Sequence, residues 1–260
     1  MRKALHLAAA AAVTLLSLPL PASAQSVDEL IAKNIKARGG EEKLRSLNTM
    51  QMNGKVTVQG MELQMTVTAK RPNMMRQEMQ VQDKRIVTAF DGAKAWMINP
   101  MMGSETPQEI EGPQGEMTRD QSDFDGPLMD YKSKGTTIEL VKGEGPNGTE
   151  KLADGTAVHK LKVTRKGGRV QYYYLDADTG IELRTTNEIE QGGQNFTIDT
   201  ELSDYRAVDG VMVPHAVRNL MNGQPLMQMS VEKVQFNLPL DDKLFKMPET
   251  KAPEKKTPGN

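Results

Sequence analysis

The 260-residue sequence contains no cysteine. That excludes a disulfide framework, a thiolate metal site, a cysteine nucleophile and a lipidated cysteine behind any leader. Aromatic residues make up only 4% of the chain, with a single tryptophan, Trp96. Histidine occurs three times, and beyond the N-terminal run only as His159 and His215, with no partner at metal-ligand spacing. Neither charge sign dominates: 33 basic residues face 34 acidic ones. Such a balance implies no basic face, and no nucleic-acid partner is expected. No Gly-x-Ser-x-Gly elbow and no phosphate-binding loop occurs.

One apolar run stands out, at the N-terminus. Arg2 and Lys3 precede an Ala- and Leu-rich stretch over residues 5–20, and Ala22-Ser23-Ala24 follows. This is the pattern of a secretory signal, with cleavage expected after Ala24. The run is short for a span of ~20 residues and is interrupted by Pro19 and Pro21. Removing Arg2 and Lys3 from the 33 basic residues leaves 31 against 34 acidic ones, a mature chain of slight negative charge. A soluble, exported protein is expected, with residues 25–248 as one domain and residues 249–260, rich in Pro and Lys, as a disordered tail.

What the chain has in plenty is methionine, 18 residues. An unbranched, polarizable thioether makes an adaptable apolar surface, suited to core filling or to variable apolar cargo. Residues 27–38 carry a helical stripe at Leu30, Ile31 and Ile35, closed by Gly39-Gly40, and a second short helix is expected over residues 41–47. The period then changes to two. Met50, Met52, Gly54, Val56 and Val58 alternate with polar residues. After a Gln59-Gly60 turn, Met61, Leu63, Met65, Val67 and Ala69 do the same. This is an antiparallel sheet with one apolar face. About 11–12 strands follow from the whole pattern. They are interrupted by a polar connection over residues 107–134, read as a long loop with one or two short helices around residues 115–131. A connection of that length is usually functional or disordered.

The search for chemistry yields little. His159 and His215 sit singly in strands. Asp176-Ala177-Asp178-Thr179-Gly180 begins like a calcium loop, but its twelfth position is Asn187, so a β-turn is expected. Asp123 and Asp125 are expected to be solvated in the long connection. Methionine groups at 74/75/79, 97/101/102 and 227/229 could ligate Cu(I) through soft thioethers, yet those in the early strands fall on the apolar face, where packing already explains them. No catalytic residue, no metal and no cofactor is assigned, and the chain is not expected to be an enzyme.

Two motifs carry a family resemblance. Lys70-Arg71-Pro72-Asn73 ends the second strand, and Asp91-Gly92-x-Lys94-x-Trp96-x-x-Asn99-Pro100 follows two strands later. In this order and spacing they resemble the periplasmic lipoprotein carriers of the LolA/LolB family, and Pro127-Leu128-Met129 resembles a short helix that comes next in those proteins. The likeness is good over residues 27–131. Beyond that, residues 176–184, 205–214 and 241–248 are similar to the broader outer-membrane lipoprotein-sorting group. The resemblance implies an incomplete antiparallel half-barrel with a helical lid, enclosing an apolar cavity for the acyl chains of a lipid or lipoprotein. It also implies that Arg71 latches the lid by hydrogen bonds to backbone carbonyls. Met50, Met52, Met61, Leu63, Met65, Met75 and Met79 are the expected cavity wall, with Trp96 nearby, and Phe124, Leu128 and Met129 the expected lid plug. An inner- or outer-membrane protein is a possible further partner, and a monomer is expected. The alternative reading is a sensing or protein-interaction module on the same fold.

Overall fold

The computed structural model describes residues 25–191 and 193–249. The predicted signal segment, and the predicted tail apart from Glu249, therefore lie outside the described residues. No described helix is long and apolar enough to cross a membrane.

The chain opens with helix α1 (Val27–Ala37) and helix α2 (Glu41–Arg45). A reciprocal capping box starts α1: Ser26 Oγ accepts from the Glu29 amide, and the Glu29 carboxylate accepts from the Ser26 amide. Fourteen strands follow: β1 (Thr49–Val58), β2 (Met61–Lys70), β3 (Met74–Val81), β4 (Lys84–Asp91), β5 (Ala95–Asn99), β6 (Ser104–Ile110), β7 (Thr137–Val141), β8 (Glu150–Lys151), β9 (Ala157–Thr164), β10 (Val170–Asp176), β11 (Glu182–Gln191), β12 (Gln194–Val208), β13 (Val211–Met221) and β14 (Gln224–Phe236). Helix α3 (Gly112–Gln121) lies between β6 and β7. Tight hairpins at Gln59-Gly60 and Asn222-Gly223 place both central residues at positive φ, the twist that matches two antiparallel strands.

All pairings are antiparallel, in the order β6-β5-β4-β3-β2-β1-β14-β13-β12-β11-β10-β9-β7, with β8 added beside β9. The sheet does not close on itself, so the expected incomplete half-barrel is what forms. Its first half is a meander outward from β1 to the β6 edge. The chain then crosses to the opposite edge at β7 and meanders back until β14 pairs with β1. The edge-to-edge crossing must span the open side of the curve. It consists of α3 and the turns that follow.

Two details differ from the sequence expectation. Strands β6 and β8 add to the expected number, because Ser104–Ile110 is polar with little alternation and Glu150–Lys151 is two residues long. The crossing starts later and is ordered differently. Residues 107–110 belong to β6, α3 begins at Gly112, and the Pro127-Leu128-Met129 stretch is a run of turns, not a helix. Gly115 packs α3 on the sheet: a Cβ there would meet the Ile110 carbonyl oxygen at 2.3 Å.

Candidate functional site

Pairing registers place the apolar residues of the early strands. Met50, Met52, Gly54 and Val56 of β1 lie opposite Ala69, Val67, Met65 and Leu63 of β2. Met65 lies opposite Met79, and Ala69 opposite Met75, on β3. Directly paired residues share a face, so Met50, Met52, Met61, Leu63, Met65, Met75 and Met79 all project from the concave side. Met229, Val231 and Val234 of β14, with Val211 and Val213 of β13, extend the surface and form one core with Leu44, Leu47 and Met129. A second apolar cluster joins Leu30 and Ile31 of α1 to Leu161, Val163, Tyr173, Leu175 and Leu128. Met61, at the far end of the face, is 56% exposed.

Trp96 is a correction. It pairs with Ala89, whereas Met97 pairs with Thr88. Period-two alternation therefore puts Trp96 on the convex face with Val87, Ala89 and Ile98. It is fully buried there, and its indole Nε1 donates to the Phe245 carbonyl at 2.8 Å. The C-terminal segment covers that face, held also by Lys70 Nζ donating to the Leu240 carbonyl at 2.7 Å. The methionine groups weighed as Cu(I) ligands do not stay together, apart from Met227 and Met229, which pack in the first apolar cluster. Met74 is out of phase with Met75 and Met79, and Met101 and Met102 sit exposed in a 3-10 turn.

The crossing segment bridges the two clusters. Met129 and the half-buried Phe124 pack into the first, and Leu128 into the second. Arg71 ties this segment to α2. Its Nε donates to the Leu47 carbonyl at 2.9 Å and its Nη2 to the Leu44 carbonyl at 3.1 Å. Its Nη1 is paired with Asp125, and the guanidinium stands 4.9 Å from the Phe124 ring centroid. Asp123 is ion-paired to Lys134 at 2.7 Å. The expectation that Asp123 and Asp125 are solvated is therefore wrong: Arg71, just beyond β2, pairs with Asp125, Lys134 at the segment's own end pairs with Asp123, and both carboxylates are largely buried. On the solvent side, Arg45 donates twice to Asp130 at 2.8 Å, and Lys132 meets Asp28 at 2.9 Å. These partners hold the carboxyls of Asp130 and Asp28 below the usual carboxylate range. Exposed pairs of this kind are screened by solvent and contribute little, so the half-buried Arg71 contacts dominate the tether.

Beneath the segment lies a cavity of about 330 Å³, within the roughly 300–1,000 Å³ range of small-ligand pockets. Leu44, Leu47, Met50, Met52, Phe124 and Phe236 make its apolar wall. One end is polar, with Arg38, Tyr173, Glu182 and Tyr205. Burial pushes the Glu182 carboxyl up to about 7, against the opposing pull of Arg38. It also raises the phenols of Tyr173 and Tyr205. None of these four was a candidate from sequence. The reason is a bulge: Tyr174 pairs with Arg184, but the next residue, Leu175, pairs with Glu182. Leu183 is the extra residue, and Glu182 takes the inward position that alternation would have given to an apolar neighbour. Among the described residues no group of three or more His, Cys, Asp or Glu is placed to hold a metal ion.

No protein-family model and no curated protein matches the sequence. Solved structures do match. An outer membrane lipoprotein-sorting protein domain from Vibrio parahaemolyticus is 14% identical, with 85% of this chain and 97% of that one covered and a TM-score of 0.55. A LolA superfamily protein from Nitrosomonas europaea is 10% identical, with 86% and 98% covered and a TM-score of 0.57. A DUF1329 family protein from Desulfovibrio piger is 14% identical, with 85% and 97% covered and a TM-score of 0.55. At these identities the likeness is one of fold alone: this chain shares the overall architecture of those three structures.

Proposed function

We propose that the protein is an exported, periplasmic carrier that holds the acyl chains of a lipid or lipoprotein in outer-membrane lipoprotein sorting, and that it works without covalent chemistry. The observation that carries this reading is the concave face: a continuous methionine-rich apolar surface, partly exposed, bridged by a segment that is tethered mainly by one arginine. Burial of an acyl chain contributes about 0.8 kcal/mol per methylene, so a modest length of chain suffices for useful affinity. Methionine in place of aromatic rings gives a wall that repacks around cargo of varied shape. Phe124, Leu128 and Met129 fill part of the space when cargo is absent, which limits the loss of dispersion contacts in an empty cavity.

Native mass spectrometry and organic extraction of the purified protein test the reading. A co-purifying lipid, or saturable binding of a fluorescent phospholipid, is the expected result. A protein that is empty, binds no lipid probe and instead captures an envelope protein would replace the carrier reading with a sensing or interaction module.

A further inference from the structure

The polar end of the cavity has a feature that an acyl-chain wall does not require. Four charged side chains line the cavity: Arg38 at the end of α1, Glu182 at the start of β11, and Asp123 and Asp125 from the crossing segment. Asp125 is taken by Arg71, and Asp123 by Lys134 and Arg165. Arg38 and Glu182 form no ion pair and no side-chain hydrogen bond among the described residues, with each other or with any other group. Tyr205 is engaged elsewhere, its hydroxyl donating to the Glu182 carbonyl at 2.5 Å, and Tyr173 donates to Gln171 at 3.1 Å. The polar end thus offers one guanidinium and one carboxyl without a protein partner among the described residues, beside an apolar stretch of wall that includes Met50, Met52 and Phe236. Arg38 and Glu182 are both partly exposed, so water can reach them in the free protein, and a ligand that displaces this water must supply matching hydrogen-bond partners.

Resting on the acyl-binding reading above, we propose that this end is a head-group site for a single-chain amphiphile with a free carboxylate, seated head inward. The carboxylate accepts hydrogen bonds from Arg38 and one from the protonated carboxyl of Glu182, while its alkyl chain runs along Met50, Met52 and Phe236. A guanidinium matches a carboxylate by two parallel donors. A neutral carboxyl beside it supplies a further donor without adding negative charge. The inward position of Glu182 already favours its neutral form, because burial raises its pKa to about 7, and an incoming anion favours the neutral form further. The sign of the pH dependence follows. Below pH 7 Glu182 carries the proton and donates it to the ligand. Above pH 7 that proton must be taken up on binding, so affinity falls as pH rises, by at most about ten-fold per pH unit for one linked proton.

The test is equilibrium binding of a fluorescent fatty acid and of its methyl ester to the purified protein, wild type, Arg38→Leu and Glu182→Gln, at pH 6.5 and 8.5. In the wild type the acid is expected to bind at least about ten-fold more tightly than the ester at pH 6.5, and to lose about ten-fold or more by pH 8.5. Arg38→Leu is expected to abolish the preference for the acid over the ester, with a far-UV circular dichroism spectrum and melting midpoint like those of wild type reporting that the variant is folded. Glu182→Gln is expected to keep tight acid binding at both pH values, since an amide donates at either. Equal binding of acid and ester by the wild type, or an Arg38→Leu variant that still prefers the acid, overturns the head-group site and leaves chain binding standing. Failure of both probes with the wild type overturns the acyl-binding reading as well.

Discussion

Arg71 gathers four contacts that no lysine can hold together: two carbonyls of the α2 end, the Asp125 carboxylate and the Phe124 ring. The planar five-donor guanidinium makes this possible. On the proposed carrier reading, Arg71 acts as a latch that must be worth only a few kcal/mol, since cargo can shift the equilibrium by no more than its own preference for the open state. Arg71→Leu is expected to favour the open state, retain lipid longer and slow its release. Arg71→Lys is expected to act in the same direction by a smaller amount. Stopped-flow dissociation of a fluorescent lipid measures both, and off-rates equal to wild type in the two variants would remove the latch role. The position of Arg71 is visible in the sequence through the Lys70-Arg71-Pro72-Asn73 motif. That of Glu182 is not, because a one-residue bulge reverses the face of the strand end locally and leaves no mark on composition or period.

At the level of the strands, the seam between β1 and β14 closes the two halves of the sheet onto each other, and Gly54 sits at its irregular point. The register shifts between Asn53 and Gly54, and a Cβ on Gly54 would lie 2.2 Å from the Ser230 carbonyl oxygen and 3.0 Å from the Val231 Cα. Both obstacles are backbone, so the strands would have to separate beside Val56, Met65 and Met229 of the core. Gly54→Ala is expected to destabilise the fold by about 1–3 kcal/mol, the usual range for overpacking. Thermal melting followed by circular dichroism reads the effect, and an unchanged midpoint would show that the seam yields freely. Alternation made β1 and β2 legible down to the residue, and Trp96 could have been placed by the same logic, since it is out of phase with Met97. Strand β6 was not legible: a polar edge strand buries little and so shows little period.

For the molecule as a whole, the sheet order explains why a segment crosses from one edge to the other at all. A chain that finishes one half at β6 and starts the other at β7 has to cross the open side, whatever the sequence of the crossing. The methionine groups that the sequence brings together as possible Cu(I) ligands are divided by this fold between the two faces and an exposed turn. Treatment with a chelator followed by dialysis is therefore expected to leave the melting temperature unchanged. A clear drop, or copper retained through dialysis, would turn Met227 and Met229 from packing residues into ligands.

What the sequence by itself determined is local and periodic: the capped first helix, the strands with alternating faces, the Gly-containing hairpins, and hence an open antiparallel sheet with a methionine-rich side. These follow from backbone geometry and side-chain burial within a few residues. What only the tertiary structure decided is which distant groups meet. The return of β14 to β1, the pairing of Asp125 with Arg71 across 54 positions, the strap that buries Trp96 on the convex face, and the meeting of Arg38 with Glu182 at one cavity end all depend on contacts far apart in the chain. A sequence pattern carries the period of each element, but the partner of a charged or bulged residue is set by where the whole sheet curves.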